Sequence, residues 1–403
     1  MNIKMPDDVK VIIEKLTENG YEAYAVGGCV RDSIIRRVPG DWDITTSALP
    51  LEVKALFKRT IDTGIQHGTV TVMMGHNGYE VTTYRLDGEY EDSRHPKNVE
   101  FTQNLREDLK RRDFTINAMA YNDELGIVDM FGGMQDLENG IIRCVGNAEE
   151  RFTEDALRIL RAVRFSAQLG FEIEENTCKA INKLAPTLEK ISRERIHTEL
   201  GKLLLSEHPD YINKAWELEI TKIVLKEYDK ADNKETIGSF LKVLPKKISY
   251  KYAALLMHLE APEATKVLKE LKLDNDTINK VGTLVKYHLM ELPESEVFVR
   301  KALSIVGLDA FRDILEFEKI FYTVYHLTDK LQSLLHTKEV LDKVLERGDC
   351  YCIKDLAING QDLIAAGVKP GKEMGDILKG CLAVVIETPE FNTKEKLFSL
   401  NNL

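Results

Sequence analysis

Apolar positions repeat with two different periods along the chain, and the change between them falls near residue 150. Before that point, residues 7–19 predict an amphipathic helix that ends at Gly20, and YEAYAVGG predicts a buried strand that ends in glycines. A second helix is predicted near residues 30–36, DWDITTSA alternates as strands do, and GTVTVMM and GYEVTTYR flank the turn-forming GHNG as in a β-hairpin. These elements predict an α/β or α+β unit with at least four strands.

After residue 150, apolar residues recur at helical spacing to the end of the chain. Segments such as EDALRILRAVRFSAQLG and RERIHTELGKLLL predict helices of ordinary length, so the remainder is predicted to be all-α. Residues 226–238, KEYDKADNKETIG, are polar and charged, and they are the strongest candidate for a linker.

Length and composition limit the class of protein. The chain has 403 residues, 43% of them hydrophobic and 30% charged, and at about 150 residues per domain it is expected to form two to four structural units. No apolar run approaches the roughly 18 residues that a membrane helix requires, and the N-terminal residues carry acids where a signal peptide needs bases. We therefore expect no membrane association and a cytoplasmic location.

Charge and cysteine content restrict the partners. Asp plus Glu number 66 against 55 for Lys plus Arg, a net charge of −11, so any contact with RNA requires a local basic surface. The six cysteines are scattered, which favours a reducing compartment. Cys350 and Cys352 lack the second pair that a zinc tetrad needs.

The densest candidate chemistry lies in AVGGCVRDSIIRRVPGDWDITTSALP. Asp41 and Asp43 are two residues apart on a strand-like run, so both carboxylates point to the same face and can bind one or two divalent cations. A cation held in this way can bridge a nucleoside triphosphate and activate an attacking hydroxyl. Taken alone, an Asp-x-Asp pair is more often a turn or a solvated strand end.

Glycines near this pair strengthen the catalytic interpretation. Gly27 and Gly28 follow a predicted strand and precede a helix, so their backbone amides can approach phosphate oxygens at a helix N-terminus. Arg31 lies in the first turn of that helix, where a cation opposes the helix dipole unless an anion is near. A plain strand-to-helix turn does not explain why these residues and the Asp pair converge within seventeen residues.

GGCVRDSIIRRVPGDWDIT resembles the signature of the polymerase-beta-like nucleotidyltransferases, in the branch that holds class II CCA-adding enzymes and bacterial poly(A) polymerases. The resemblance continues downstream in order, strongly over residues 23–205 and weakly beyond. It implies an α+β fold with a nucleotidyltransferase head built on a mixed sheet, a helical neck, and an all-α body and tail that bind tRNA. The corresponding ranges are 1–142, 143–228 and 229–403. YAALLMHLE lacks a His-Asp pair, which is typical of the subgroup without an HD phosphohydrolase domain.

The resemblance assigns roles to residues of the head. Asp41 and Asp43 would be the catalytic pair and would hold Mg²⁺ as the cofactor. Gly28 and Arg31 would hold the triphosphate, as the turn geometry also suggests. RRDFTINA could be no more than the exposed, charged start of a helix. The resemblance instead implies that Arg112 contacts the nucleotide.

The same motif and its neighbours carry three further expectations. Asp113 would lie near the ribose, where it could help select ribonucleotides. Residues 85–100 resemble the family's flexible loop, and their charge, Gly, Pro and Asn content predicts a mobile segment. Glu80 stands where a third carboxylate could lie, but an edge-strand glutamate is an equally good interpretation, so Glu80 is left outside the predicted metal set.

ERFTEDALRILRAVRF places Asp155 and three arginines at spacings that put them on a slowly rotating stripe of one predicted helix. Three arginines within seven residues repel each other unless anions are near. The stripe is therefore either a set of salt bridges on a solvated helix or a surface that reads a base edge. The resemblance supports the second interpretation. It assigns base reading to Asp155 and Arg158 in the EDxxR element that begins at Glu154, and places Arg161 and Arg164 toward base or phosphate.

The resemblance implies an enzyme that adds C, C and then A to the 3′ end of tRNA from CTP and ATP, without a nucleic-acid template. An A-adding enzyme that works beside a separate CC-adding partner would share every one of these motifs, and a poly(A) polymerase would share most of them. Both alternatives stay open, as does a homodimer. A non-catalytic RNA-binding paralogue is hard to reconcile with the complete set of motifs. Lys242, Lys246 and Lys247 are candidates for phosphate contacts, although surface lysines are usually only solvated.

Overall fold

The structure is a computed structural model, and it describes residues 2–87 and 99–401. It divides into two compact units, Met1–Lys230 and Ala231–Leu403. Across these described residues, no helix combines the length and the apolar character that crossing a bilayer requires. All six cysteines are free thiols. The greater part of the predicted flexible loop, residues 88–98, lies outside the described residues.

The first unit contains the strands, in which β-branched residues alternate between a buried and a more exposed face. In chain order the strands are β1 (Ala23–Val26), β2 (Asp43–Thr46), β3 (Thr60–Gly64), β4 (Thr69–Met74), β5 (Asn77–Thr83), β6 (Arg85–Asp87), β7 (Val99–Phe101), β8 (Met119–Asn122), β9 (Gly126–Asp129), β10 (Ile141–Ile142) and β11 (Glu172–Ile173).

One mixed sheet brings the Gly27–Gly28 turn close to the Asp41 and Asp43 pair. Its described strands follow the order β3-β4-β5-β2-β1-β8-β9. β2 is parallel to β5 and antiparallel to β1, and Val26 at the end of β1 pairs with Asp43 at the start of β2. The glycine turn after β1 and the carboxylates at the start of β2 therefore meet at one edge of the sheet.

Helices form most of the rest of the first unit, and the first three of them pack against this sheet. The helices are α1 (Asp7–Glu18), α2 (Gly28–Ile34), α3 (Pro50–Leu56), α4 (Leu105–Lys110), α5 (Gly133–Asn139), α6 (Ala148–Glu154), α7 (Leu157–Leu169), α8 (Glu175–Leu184), α9 (Arg193–Leu204), α10 (Ile212–Glu217), α11 (Thr221–Val224) and α12 (Lys226–Asp229). Short 3-10 helices cover Ile65–His67, Thr115–Asn117, Ala185–Lys190 and Pro209–Tyr211. α7 packs along α9 and buries Ile159, Leu160 and Val163.

The described part of the second unit is entirely helical. Its helices are α13 (Lys234–Val243), α14 (Ile248–Leu256), α15 (Ala261–Glu270), α16 (Asn275–Tyr287), α17 (Glu296–Val306), α18 (Leu308–Val324), α19 (Thr328–Glu346), α20 (Gly360–Ala365), α21 (Lys372–Glu387) and α22 (Lys394–Leu400), with 3-10 turns at Ile353–Asp355 and Pro389–Phe391. Phe240 and Phe317 meet edge to face at 5.1 Å in one core. A smaller core around Leu363, Val385 and Leu397 holds the C-terminal helices together.

The predicted α+β class with an all-helical C-terminal part is confirmed. The predicted linker at 226–238 is mostly helical, because Tyr228 of α12 is fully buried and α13 begins at Lys234. The boundary between the two units nevertheless falls inside it, at residues 230 and 231. The finer division of the first unit into a head at 1–142 and a neck at 143–228 stays a prediction.

The prediction of one continuous helix through residues 155–164 was wrong. α6 ends at Glu154, and Asp155 adopts extended backbone with φ of −140° and ψ of 103°. Its carboxylate accepts the backbone N–H of Leu157 at 3.0 Å, at the start of α7. An aspartate that satisfies a free N–H of a following helix favours such a break over a continuous helix.

Arg300 in α17 is expected to hold α21 against the rest of the second unit. This buried arginine contacts Asp349 at 2.7 Å and donates from Nε to the Ile386 carbonyl of α21 at 2.8 Å. Arg300→Met leaves the shielded Asp349 without its closest cation, so the free energy of unfolding should fall by about 3 kcal/mol. Amide hydrogen exchange in α21, followed by mass spectrometry, should accelerate.

Arg347 provides the matched control. Its side chain is 48% exposed and contacts the same Asp349 at 2.9 Å. Because exposed ion pairs contribute about 1 kcal/mol or less, Arg347→Met should leave exchange in α21 nearly unchanged. Equal acceleration of exchange in the two variants would contradict the prediction, because the buried contacts of Arg300 would then stabilise α21 no more than the exposed contact of Arg347 does.

Candidate active site

Three carboxylates lie near the edge of the sheet where β2 begins. Asp43 is the first residue of β2, and Asp41 precedes it in the loop after α2. Since β5 is parallel to β2 with Ile44 beside Val81, the preceding residues Asp43 and Glu80 are neighbours on one face of the sheet. A cavity of 730 Å³ opens at this place and is lined by residues 40–43 and 76–80.

The environment of Asp43 disfavours its negative charge. Asp43 is exposed at the surface, yet desolvation by the surrounding protein raises the pKa of its carboxyl to about 6. Repulsion from Asp41 and Glu80 acts in the same direction, while Arg112 partly opposes it. Crowded carboxylates of this kind are relieved by a cation, and an all-oxygen ligand set suits Mg²⁺.

A metal ion at this edge would need ligands from outside the protein. Among the residues that the structure describes, no three His, Cys, Asp or Glu side chains form a group that could hold a metal ion. Mg²⁺ usually binds through one or two carboxylates and completes its shell with water and substrate phosphates. Asp41 and Asp43 therefore fit Mg²⁺ that arrives together with a nucleotide.

The glycine turn after β1 has a backbone conformation that disfavours any side chain. Gly27 has a φ of +81°, a conformation that favours glycine, and a Cβ at this position would lie 3.0 Å from Nη1 of Arg112. Arg112 also approaches Asp108, with 3.6 Å between Nη2 and Oδ2. Its buried Nε has no hydrogen-bond partner within residues 2–87 and 99–401. The start of α2 and an incompletely paired guanidinium thus face the same space, which suits an anionic ligand.

Arg31 is turned away from open solvent. It is only 7% exposed, its Nη1 donates to Oδ1 of Asn117 at 2.6 Å, and its Nε donates to Asp32 at 2.8 Å. Asn117 in turn donates from Nδ2 to Oδ1 of Asp113 at 3.0 Å. A neutral amide therefore links the predicted phosphate-binding arginine to the predicted ribose-binding aspartate.

Asp113 joins the head segment to α7. Its Oδ2 accepts from Nε and Nη2 of Arg161 at 2.8 and 2.6 Å, and its Oδ1 also accepts the backbone N–H of Phe114 at 2.8 Å. Burial by itself would raise the pKa of Asp113, but Arg161 and the Asn117 amide outweigh burial and hold that pKa well below its usual range. Asp113 is therefore ionised and accepts hydrogen bonds only.

One aromatic ring lies among the arginines of this region. The guanidinium carbons are 5.0, 5.3 and 3.7 Å from the Phe165 ring centroid for Arg31, Arg161 and Arg164. Arg164 is also paired with Glu199 of α9 at 2.6 Å, and both side chains are buried. Burial lowers the pKa of Arg164 to about 10. Arg164 thus points into the protein, where it packs on an aromatic face.

The junction between α6 and α7 carries the predicted base-reading pair. Asp155 accepts from both Nη atoms of Arg195 in α9, at 3.3 and 2.8 Å. Arg158 donates from Nη2 to the Arg111 carbonyl at 2.9 Å, and its Nη1 contacts Glu154 at 2.7 Å. This junction is therefore bonded directly to the segment that carries Arg112 and Asp113.

The structure connects most of the predicted residues but not all of them. The Asp pair, Gly28 and Arg112 meet at one sheet edge, and Asp113 links Arg161 to that edge, whereas Arg164 faces Glu199. Sequence reasoning missed three residues that make these links: Asn117, Phe165 and Arg195. Asn117 and Arg195 stand inside the motifs RRDFTINA and ISRERIHTEL, but nothing in the sequence shows which side chains they contact.

Lys247, one of the three lysines predicted to contact phosphate, is paired with acidic side chains. Nζ of Lys247 contacts Asp313 at 3.2 Å and Glu316 at 3.1 Å, both in α18. Its positive charge is therefore balanced within the second unit, and phosphate contacts by this lysine are less favourable than the sequence suggests.

Family profiles match most of the chain in three consecutive parts. The profile described as Poly A polymerase head domain matches residues 23–143. The one described as probable RNA and SrmB-binding site of polymerase A matches residues 170–232, and the one described as tRNA nucleotidyltransferase domain 2, putative, matches residues 243–400.

Curated relatives and a solved structure resemble the chain over almost its whole length. The CCA-adding enzyme of Lactiplantibacillus plantarum is 41% identical over 396 residues, which cover 96% of this chain and 94% of that protein. The CCA-adding enzyme of Ligilactobacillus salivarius is 38% identical over 400 residues, 98% of this chain and 96% of that protein. The crystal structure of the Bacillus stearothermophilus CCA-adding enzyme in complex with CTP matches with a TM-score of 0.76 and 33% identity, covering 99% of this chain and 98% of that one.

The raised pKa of Asp43 predicts how the free energy of unfolding of the metal-free protein depends on pH. Between about pH 4 and pH 6 the folded state holds this proton more tightly than the unfolded chain does, so Asp43 costs stability as the pH rises through that interval. Asp43→Asn removes this loss. Relative to wild type, the variant should gain about 1 kcal/mol between pH 5 and pH 7.5, a value reduced for solvent screening because the side chain is partly exposed. Urea unfolding in buffer with a chelator measures it.

Asp62→Asn is the matched control. Asp62 lies on β3 of the same sheet and forms an exposed ion pair with Lys54 at 2.8 Å. This substitution should give no gain in stability at either pH. A pH-independent effect of Asp43→Asn, or an equal gain in Asp62→Asn, would show that carboxylate crowding at the start of β2 does not cost stability.

Proposed function

The chain belongs to the CCA-adding enzymes, a family of tRNA nucleotidyltransferases, and we propose that it adds C, C and then A to the 3′ end of tRNA. CTP and ATP are the substrates, pyrophosphate is the second product, and no nucleic-acid template is used. The observation that carries this proposal is a set of direct hydrogen bonds. They join residues 158 and 161, just after the α6–α7 junction, to residues 111–113, which are proposed to contact the nucleotide. Arg158 holds the Arg111 carbonyl and Arg161 holds Asp113, so base-reading groups lie next to the phosphate-binding and ribose-binding groups.

The reaction joins two substrates at the sheet edge. The 3′ hydroxyl oxygen of tRNA attacks the α-phosphorus of the nucleotide and forms a new phosphodiester bond. The bond from that phosphorus to the oxygen that bridges the β-phosphate breaks, pyrophosphate leaves with its electrons, and the hydroxyl proton passes to solvent. Asp41 and Asp43 would hold Mg²⁺, which when bound lowers the pKa of the hydroxyl and offsets negative charge on the triphosphate. The turn at Gly27 and Gly28 lets backbone amides approach the phosphates.

Two arginine side chains are proposed to complete the phosphate-binding site. Arg112 faces the Gly27 turn with an unpaired buried Nε, as judged within the described residues. Arg31 stands at the start of α2 with its orientation fixed by Asn117 and Asp32. Positioned guanidinium groups of this kind stabilise the charge that develops on a transferring phosphoryl group and cost no reorganisation at the moment of reaction.

Base choice is assigned to Asp155 and Arg158. The carboxylate accepts hydrogen bonds, and the guanidinium donates in a planar fork, so together they can distinguish base edges. In the structure these groups are bonded to Arg195 and Glu154. A bound base would therefore replace part of this bonding rather than meet free side chains. We also place the reaction in the cytoplasm, since six free cysteines suit a reducing compartment.

Extension of three labelled tRNAs tests the function. The substrates end before the first C, after one C and after both, and each is incubated with CTP, ATP or both. The wild type should convert all three to CCA and then stop. Extension only of the tRNA that already ends in CC would indicate an A-adding enzyme, and long A tails would indicate a poly(A) polymerase. Either result would overturn the proposal.

The carboxylate pair provides the catalytic control for this assay. Asp41→Asn and Asp43→Asn should each lower the extension rate by about a thousandfold, because a misplaced metal ion removes several kcal/mol of transition-state stabilisation. Asp62→Asn should extend tRNA as the wild type does, and a chelator should stop all active variants. An Asp43→Asn protein as active as wild type would contradict the metal role.

Variants of the base-reading pair should change which nucleotide is added. Asp155→Ala and Arg158→Ala each remove hydrogen bonds to a base edge, so the preference for CTP and ATP over UTP and GTP should fall about 10- to 100-fold in kcat/KM. Competition between labelled nucleotides in single-addition reactions measures this ratio.

Arg143 supplies the matched control for these variants. It lies in the same unit, is 44% exposed and pairs with Asp136 at 3.1 Å. Arg143→Ala should leave nucleotide preference unchanged. If Arg158→Ala lowers the overall rate but keeps the wild-type preference, Arg158 supports the fold and does not read the base.

A further inference from the structure

Asn117 lies between two charged groups that do not touch each other. It belongs to the 3-10 helix Thr115–Asn117, and it is 6% exposed. On one side Nη1 of Arg31 donates to its Oδ1 at 2.6 Å, and on the other its Nδ2 donates to Oδ1 of Asp113 at 3.0 Å.

The chemistry of the two partners fixes the orientation of the amide. Arg31 has donors only, so the atom facing it must be the amide oxygen. Asp113 is ionised and has acceptors only, so the atom facing it must be the amide nitrogen. The side chain therefore presents one acceptor and one donor in a single rigid plane, and each is used.

Other residue types would not serve both partners at this position. An alanine leaves Arg31 without one acceptor and Asp113 without one donor, and both charges are largely buried, which is unfavourable. An aspartate would accept from Arg31 but would set a second carboxylate against Asp113. A serine hydroxyl is too short to replace both amide atoms.

Asn117, Arg31, Asp113, Arg161 and Phe165 form a closed ring of side-chain contacts. Asp113 continues to Arg161 of α7, whose guanidinium lies 5.3 Å from the Phe165 ring centroid. The same ring has the guanidinium of Arg31 at 5.0 Å. The Asn117 amide closes this ring of contacts, so a displacement of Arg31 is transmitted to Asp113 and the reverse.

We propose that Asn117 is a positioning residue that fixes Arg31 and Asp113 relative to each other, so that the phosphate-binding and ribose-binding groups engage one nucleotide together. This inference rests on the proposed function, in which Arg31 meets the triphosphate and Asp113 lies near the ribose. It adds that these two recognition events are coupled through one amide.

Two probes read the two sides of the bridge separately. Inorganic tripolyphosphate, used as a competitive inhibitor of CTP, reports the phosphate side. The ratio of kcat/KM for CTP to that for dCTP, in the addition of the first C to tRNA, reports the ribose side. In Asn117→Ala the inhibition constant of tripolyphosphate should rise about tenfold, and the CTP to dCTP ratio should fall about tenfold, because each side loses one charge-assisted hydrogen bond.

Asn122 is the matched control, since it is a buried asparagine at the end of β8, the strand that follows the 3-10 helix of Asn117. Its Nδ2 donates to the Ala23 carbonyl at 3.3 Å, its Oδ1 accepts the Leu125 N–H at 2.8 Å, and it is 5% exposed. Asn122→Ala should lower the unfolding temperature as Asn117→Ala does but leave both probes at wild-type values. If both probes change in Asn122→Ala as well, the effect is one of general stability and the proposal is overturned.

A double-mutant cycle tests whether Asn117 acts through Asp113. Asp113→Ala should lower the CTP to dCTP ratio, and adding Asn117→Ala to it should lower the ratio no further. Additive losses would contradict the proposal. Asn117→Ser, which keeps a hydroxyl, should show the same changes with smaller size and replaces Asn117→Ala if that variant does not fold.

The outcomes also separate this inference from the proposed function. A wild type that does not extend tRNA with CTP defeats the proposed function itself. A wild type that extends tRNA but accepts dCTP as readily as CTP overturns the coupling. The coupling is overturned equally if Asn117→Ala changes only one probe or neither, while the proposed function then still stands.

Discussion

The buried carboxylate of Asp113 is the constraint on which the candidate active site depends. A charge shielded from water must be paired and hydrogen-bonded, and Asp113 meets this need with partners from three places in the chain. They are the Phe114 N–H, the Asn117 amide and the Arg161 guanidinium. Because Arg161 belongs to α7, the pairing of this one carboxylate connects residues 113–117 to the helix that follows the α6–α7 junction.

The same principle accounts for the other arginines of the region. Placed close together they would repel each other, yet several of them are paired with carboxylates that other elements supply. Arg164 meets Glu199 of α9, and Asp155 meets Arg195 of the same helix. These pairs hold α7 and the α6–α7 junction against α9.

Much of the fold and part of the site could be predicted from local pattern. Hydrophobic periodicity and turn residues predicted the first helix, the hairpin of β4 and β5 and the all-helical remainder, because these features depend on neighbours in sequence. The closeness of Asp41 and Asp43 was also predicted, although only Asp43 lies on β2 and Asp41 precedes the strand. The break at Asp155 was missed because helical periodicity continues across it, and only the capping bond to Leu157 reveals it.

The sequence by itself thus determined the element types, the α+β class and the acidic edge with its glycine turn, all of which follow from residues close together in the chain. Tertiary structure alone decided which charges meet. Asn117 reaches Arg31 across 86 positions and Arg161 reaches Asp113 across 48, and no periodicity encodes such distant pairs. The physical reason is that burial sets the cost of an unpaired charge, and burial exists only once strands and helices have packed.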